Sequence, residues 1–407
     1  MIGGALPLIR LDIAMSDAQA GWVIGTAFAV PYGATALTLA AILRGRRPSI
    51  AWLIGGVVLW TGASLATGVA HSIGALAIAR AALGIGQAMF VPVAIAWLVD
   101  GADQDDGPGK TSIGRARALA IFTSGSTIGR SAALLAVGTV LSVLALVARD
   151  GGNIAHWRWL YMLPALPNVL MLPWLARIGM RRPQSVRVDG ANAEPISSPP
   201  PARLDWRTLA LFFVVAVMPI VVIQAIGGWL PSLFVRTRGL APAQAAMLIG
   251  AVTLFAASAG QILGGWLMTR YAAWHGRVPV IVLAGLTATL LPLAGVIWAP
   301  GLSGAIIATA VLNLTLGIAS FCGLFGVQML SPRSHRVTVN GVFLALVTLV
   351  GVGAGPLLTG VIATIDAHGT DASGSLGIAL LKTGVAACAV CAVAVGAVRQ
   401  RYRRYQP

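Results

Sequence analysis

Long apolar runs separated by short polar clusters are the dominant pattern of this chain. A bilayer-spanning helix needs about 20 predominantly apolar residues. Stretches of that kind lie near 17–43, 50–70, 74–99, 117–147, 158–177, 208–234, 241–269, 278–298, 302–329, 337–364 and 375–398. An apolar fragment, Met1–Ile9, precedes these eleven spans. Nine helical residues rise only roughly 13 Å, less than half the hydrocarbon core. The pattern predicts an all-α, polytopic membrane protein.

The spans repeat. Asp17-Ala18-Gln19-Ala20 runs on to Ile24-Gly25, and Pro242-Ala243-Gln244-Ala245 runs on to Ile249-Gly250. Arg44 has its counterpart in Arg270, and Gly125-xxx-Gly129-Arg130 in Gly351-xxx-Gly355-Pro356. The offset stays near 225 at three separated places. It predicts two six-helix bundles related by a parallel pseudo-repeat, the construction of many secondary transporters that hold substrate near the midplane between repeats. Gly3-Gly4-Ala5-Leu6-Pro7 aligns with Gly227-Gly228-Trp229-Leu230-Pro231. In that register the first helix would begin about 17 residues ahead of Met1, so it is read here as truncated. A secretory signal fits poorly, because a basic n-region and a small-residue cleavage site are missing.

Boundaries follow from composition. An N-terminal bundle (1–176) is joined by a basic, Pro-rich linker (177–207) to a C-terminal bundle (208–398), with a basic tail (399–407). The linker's Arg181-Arg182-Pro183 and Ser197-Ser198-Pro199-Pro200-Pro201 cannot build a core.

With 57% hydrophobic and 10% charged residues, a soluble globule is excluded. The net charge of +16 could suggest nucleic acid, but its placement says otherwise. With the spans alternating, twenty basic residues fall on one side, among them Arg44, Arg46, Arg47, Arg270 and the tail arginines. Five fall on the other: Arg10, Arg149, Arg158, Arg236 and Arg238. Positive charge marks the cytoplasmic face, which places the linker and C-terminus inside a bacterial inner membrane. No nucleic acid partner is expected. Cys388-x-x-Cys391 sits in an apolar run without a nearby histidine and reads as packing. Gly107-Pro108-Gly109-Lys110-Thr111 resembles the end of a phosphate-binding loop, but Gln104 stands where the first glycine belongs. No metal, cofactor or catalytic residue is expected.

Taken together, these residues resemble the major facilitator superfamily along essentially the whole chain. Two halves, a central basic loop, Arg44, Arg46 and Arg47 after the second helix, and Gly351-x-Gly-x-Gly355-Pro356 in the eleventh carry the likeness. Ser16-Asp17-Ala18-Gln19-Ala20-Gly21-Trp22, Ala79-Arg80, Gly84-Ile85-Gly86-Gln87-Ala88 and Arg115-Ala116-Arg117-Ala118 resemble the spinster-like branch of presumed lysolipid carriers. The resemblance implies alternating access, with Arg44, Arg46, Arg47, Arg270, Gly351, Gly355 and Pro356 in gating or conformational roles. It departs from the family at Leu43 and Thr269, where the family's loop carries an aspartate that helps latch the halves.

The visible spans hold no deep acidic residue and no deep histidine. A titratable midplane relay is therefore missing from them, and coupling to a proton or another ion is left open. Arg80 and Arg130 lie inside spans, where a charge costs several kcal/mol, about 3 on insertion scales, unless it faces a cavity or a partner. One reading makes them anchors for a carboxylate, a phosphate or a lipid headgroup. The other has them bond helix-end carbonyls or snorkel. Lys382, near a span end, snorkels more readily. Tyr32, Gln87, Gln224, Gln261 and Asn313 are the uncharged polar candidates. The resemblance makes the first, fourth, seventh and tenth helices line the cavity and so favours Gln87, Gln224 and Asn313; helix-to-helix bonding is the alternative for each. Trp157, Trp159 and Trp206, at span ends, read as interface anchors. The expected function is transport of a small or amphipathic organic anion, lysolipid being the sharper variant, by a monomer in contact with membrane lipid. Drug or metabolite efflux, and a non-transporting scaffold or sensor, are the alternatives.

Overall fold

The computed structural model describes residues 2–43, 49–105, 129, 132–144, 156–181, 205–331, 336–367 and 372–402, and among these every regular element is helical. The first group is α1 (Ile2–Asp12), α2 (Asp17–Ile24), α3 (Thr26–Ile42), α4 (Ile50–Gly68), α5 (Ile73–Asp105), α6 (Ala132–Leu144), α7 (His156–Met162) and α8 (Ala165–Arg181). The second is α9 (Trp206–Arg238), α10 (Pro242–Arg270), α11 (Val278–Ala288), α12 (Leu290–Trp298), α13 (Leu302–Leu330), α14 (Arg336–Leu346), α15 (Gly353–Asp366) and α16 (Ala372–Tyr402). Ten helical runs among the described residues are long and apolar enough to cross a membrane.

Local chemistry sets the helix starts. Ser16 and Gln19 form a reciprocal cap on α2: the Ser16 hydroxyl accepts from the Gln19 N–H at 3.2 Å, and the Gln19 side chain accepts from the Ser16 N–H at 2.9 Å. Asp205 accepts from the Arg207 and Thr208 N–H groups at 3.1 and 3.2 Å to start α9. Gly239, at φ 64°, ends that helix in the left-handed conformation glycine tolerates. Threonines within spans satisfy themselves on the preceding turn; the Thr67 and Thr309 hydroxyls donate to Ala63 and Ala305 carbonyls at 2.8 and 2.7 Å.

Four apolar runs that look continuous in sequence are interrupted, 158–177 among them, where α7 gives way to α8 at Leu163-Pro164. The run 17–43 breaks at Gly25, whose φ of −102° and ψ of −80° are not helical. The run 278–298 breaks at Thr289, three residues before Pro292, which has no N–H for the Ala288 carbonyl. Between α14 and α15 the turn widens to a π-helix over Val347–Val352, a distortion common at functional sites.

Within the first group α3 and α4 pack on α5, and α4 on α8; within the second, α9 is central, packed by α13, α15 and α16. Phe212, Trp229 and Phe234 of α9 are nearly inaccessible. The groups meet where α1 packs on α9 and α10, a Cβ at Gly3 reaching the Gly227 carbonyl at 2.5 Å, and at two further seams. In one, α2 lies on α15: a Cβ at Gly25 would meet the Gly353 carbonyl at 2.6 Å, and one at Gly21 the Pro356 carbonyl at 2.5 Å. In the other, α10 lies on α6: a Cβ at Gly250 would meet the Leu135 nitrogen at 2.7 Å, and one at Gly138 the Met247 nitrogen at 2.6 Å. Gly25 and Gly250 are repeat partners, so the internal repeat recurs as two matching glycine crossings. Small residues allow backbones to come this close.

Candidate functional site: a broken helix, a capping arginine and a cross-half ion pair

The break at Gly25 organises the site. A continuous helix would bond the Ala27 and Phe28 N–H groups to the carbonyls of Val23 and Ile24. Here the Phe28 N–H goes to the Gly25 carbonyl at 3.2 Å, as does that of Ala29 at 3.0 Å. The two carbonyls left over are taken by Arg80, two turns into α5: its Nε donates to Val23 at 3.2 Å and an Nη to Ile24 at 2.8 Å. The guanidinium also lies 5.0 Å from the centre of the Phe28 ring, in cation–π range. Arg80 thus bonds carbonyl groups, the plainer of the two sequence expectations. Its other terminal nitrogen has no bonding partner among the described residues.

Around it, Tyr32 is buried with its ring 5.7 Å from Phe28. Gln87, seven residues beyond Arg80, lies on the same face of α5 and about 10 Å further along. Gln87 and Gln224 are half-buried, and no hydrogen bond from either side chain occurs among the described residues. Asn313 is buried and donates to the Thr309 carbonyl on its own helix at 2.9 Å. No hydrogen bond among the described residues joins Arg80 or Gln87 to Gln224 or Asn313, so the candidates form two groups, one in each half. Arg130, Arg44, Arg46 and Arg47 lie outside the described residues. Arg270 is exposed, its guanidinium 5.6 Å from the Tyr271 ring centre. Lys382 pairs with Asp366 at 2.8 Å.

Gly351 and Gly355 both pack on α9. Gly351 lies in the π-turn, where a Cβ would meet Ile220 at 2.9 Å; a Cβ at Gly355 would strike the Val221 carbonyl. The Pro356 carbonyl accepts from Trp229 Nε1 at 2.9 Å. An open apolar groove of about 420 Å³ between α9 and α16, lined by Leu211, Val214 and Val393, holds none of the candidate polar residues. Arg80, Gln87 and Tyr32 lie along α5 and near the α2–α3 break instead.

The sequence marked Asp17 as part of the repeat at the start of a span but not as a site residue. It is buried, and its carboxylate bridges Arg10 of its own half and Arg236 of the other. Arg236 holds it bidentately at 2.6 and 2.9 Å across 219 residues of chain. Two further bonds cross the same seam: the Ala18 N–H donates to the Thr364 hydroxyl at 2.8 Å, and the Thr26 hydroxyl to the Gly353 carbonyl at 3.1 Å. A Cβ at Gly360 would strike the Asp17 carbonyl. The signal available in sequence was the cap: Asp17 opens a helix, so its position was fixed while its partner was not.

Trp157 also departs from expectation. It is an internal residue, 1% exposed, donating through Nε1 to Asp12 at 2.8 Å, with Arg158 stacked 4.7 Å from its ring centre. Trp159 and Trp206 are exposed, as an interface position requires.

A family model of the Major Facilitator Superfamily matches residues 1–356. The chain belongs to this superfamily. It is an integral membrane protein with the superfamily fold. A bacterial homologue of the human lysosomal transporter Spinster, solved in an inward-facing and occupied conformation, superposes with a TM-score of 0.75 at 21% identity, covering 100% of this chain and 93% of its own; at that identity the likeness is one of fold. Among curated relatives, the 3-(3-hydroxy-phenyl)propionate transporter of Escherichia coli is 27% identical over 98% of this chain and 89% of its own length. An MFS-type efflux pump of Mycolicibacterium smegmatis is 25% identical over 97% and 87%. The match to the MFS-type transporter EfpA of Mycobacterium tuberculosis, at 30% identity, takes in 45% of this chain but only 31% of EfpA.

Proposed function

We propose that this superfamily member is an alternating-access transporter of a small or amphipathic organic anion, with residues 1–176 and 208–398 as the two moving bundles, 177–207 as their linker and 399–407 as a tail. The observation that carries the reading is the Asp17–Arg236 pair: the halves are bonded to each other near one end of the bundle, where the Ala18 N–H and the Thr26 hydroxyl also bond across to Thr364 and Gly353. A carrier must be able to close one end while the substrate site faces the other. The basic-residue count supports a closed end on the outside of a bacterial inner membrane and a C-terminus inside. Arg80, Arg130, Gln87, Gln224, Asn313 and Tyr32 are assigned to substrate, and Arg44, Arg46, Arg47, Arg270, Gly351, Gly355 and Pro356 to the conformational change.

An anion is favoured because the sequence puts Arg80 and Arg130 in apolar spans that hold no deep acidic residue. The relative that carries an aromatic propionate supports a carboxylate; the spinster-like motifs support a lysolipid. Efflux is the second reading, supported by the pump related over almost the whole chain. The protein is taken to work as a monomer, as a carrier rather than an enzyme; the coupling ion stays open. Purified protein in liposomes tests the assignment: 3-(3-hydroxyphenyl)propionate or lysophosphatidylglycerol should cross faster than in protein-free vesicles, and Arg130→Ala should abolish the gain. Unchanged flux of every anion in Arg130→Ala sinks the anion reading.

A further inference from the structure

Three arginines at the Asp17 end of the bundle cap helix carbonyls, and one of them serves a different kind of helix end. Arg158 donates to the Gly68 and Ala70 carbonyls at 3.1 and 2.7 Å, where α4 stops. Arg238 donates to the Val296 carbonyl at 3.1 Å, where α12 stops. Arg80 caps a helix that resumes one residue later. The carbonyls it holds have partners in reserve, since straightening at Gly25 would return the Ala27 and Phe28 N–H groups to them.

The two pieces of that broken helix belong to different neighbours. The first piece, α2, packs chiefly on α15 of the other half, whereas α3 packs chiefly on α5. The α3–α5 contact is fixed by Gly84, whose Cβ position abuts the Phe28 carbonyl. The α2–α15 contact is fixed by Gly25 against Gly353 and by the Thr26 hydroxyl on the same carbonyl. α3 also meets the π-turn and α15, but α5 is its main neighbour, so straightening swings α2 more than α3 and lifts it from α15. A bent helix, a capped break and a closed seam are one state; a straight helix and an open seam are the other. Buried carbonyls do not stay unpaired, so removing the cap favours the straight state.

We propose that Arg80 couples anion binding to this seam. An organic carboxylate or phosphate ester first meets the free terminal nitrogen, then draws the guanidinium off Val23 and Ile24, and the uncapped helix straightens and releases α2 from α15. The inference rests on the assignment of Arg80 to the substrate. Charge-assisted bidentate bonds to an anion outcompete bonds to neutral carbonyls, which gives the exchange its direction.

The test uses full-length protein with Cys322, Cys388 and Cys391 replaced and spin labels at Leu11→Cys and Ser303→Cys, two exposed positions at the Asp17 end in opposite halves. Without ligand, Arg80→Ala should raise the open-to-closed ratio about tenfold over the parent, as loss of one or two buried hydrogen bonds implies. Arg80→Lys should shift it in the same direction by less, and carries the test if the alanine variant is not monodisperse. Adding 3-(3-hydroxyphenyl)propionate, or separately lysophosphatidylglycerol, should open the parent and leave Arg80→Ala unmoved; which of the two acts identifies the source of the anion. A well-folded Arg80→Ala protein that stays closed overturns the proposal. So does an anion that binds the parent by calorimetry yet leaves its distances unchanged. If Arg80→Ala opens but neither anion binds the parent, the capping role stands and it is the anion assignment that fails.

Discussion

The α2–α15 and α10–α6 seams descend from the same repeat and share the same glycine crossing, yet they are built differently. At the α10–α6 seam, the helix carrying Gly250 runs unbroken from Pro242 to Arg270, and no hydrogen bond crosses to the other half among the described residues. At the α2–α15 seam, the helix carrying Gly25 is broken, its partner is preceded by a π-turn, two cross-half hydrogen bonds reach α15, and Asp17 takes two more from Arg236 at the end of neighbouring α9. An apolar crossing has no bond geometry to lose and can slide. A polar crossing has partners that must be given up together, so it has two discrete states. The contrast assigns the α10–α6 seam to bearing and the α2–α15 seam to latching.

Asp17→Asn is the strongest way to break that contrast. It leaves Arg10 and Arg236 facing a neutral amide where a buried pair stood, a loss of about 3 kcal/mol. The label distances at the Asp17 end should shift to the open state by about a hundredfold in ratio. Arg236→Gln should do nearly the same, and the double variant should add little; additive effects would mean that the pair does not act as a unit. Gly25→Ala and Gly250→Ala come next. Each sets a methyl group against backbone at 2.6 and 2.7 Å, an overpacking worth roughly 1–3 kcal/mol. The expected difference is in kind: Gly25→Ala should open the Asp17 end, whereas Gly250→Ala should lower the melting temperature without changing the open-to-closed ratio. Equal opening by both would erase the distinction between the seams.

Thr26→Val removes one cross-half bond and should cost about 1 kcal/mol of closed state, read by the same distances. At the bottom of the series, Lys382→Ala breaks an ion pair within the second half whose lysine side chain is 52% exposed. Surface pairs of that sort contribute under about 1 kcal/mol, and neither seam should respond. A gate shift there as large as that of Thr26→Val would show that the labels report general loosening.

Much of this architecture was legible in the residues. Runs of apolar side chains long enough to span a bilayer can do little else, and the caps at Ser16 and Asp205 fixed where helices begin. The 225-residue offset predicted two related bundles; that Gly25 and Gly250 form matching crossings emerged only in the structure. Partnership was harder to read. Arg80 was visible as a charge in a span, with carbonyl bonding and anion binding both open. Its partners became available only because Gly25 breaks the helix, and Gly25 is one glycine among 49. Trp157 looked like an interface residue since span ends usually are; that α7 turns it inward onto Asp12 follows from packing against α1 and α4.

The sequence by itself determined the class, the spans and the twofold plan, since these depend on the free energy of burying each segment in lipid and on nothing distant. Tertiary structure alone decided that Asp17 meets Arg236, that Arg80 serves a broken helix, and that only one of two homologous seams is polar. Those outcomes depend on which surfaces dock across more than two hundred residues of chain, and a charge or a carbonyl carries no mark of its partner until the halves close on each other.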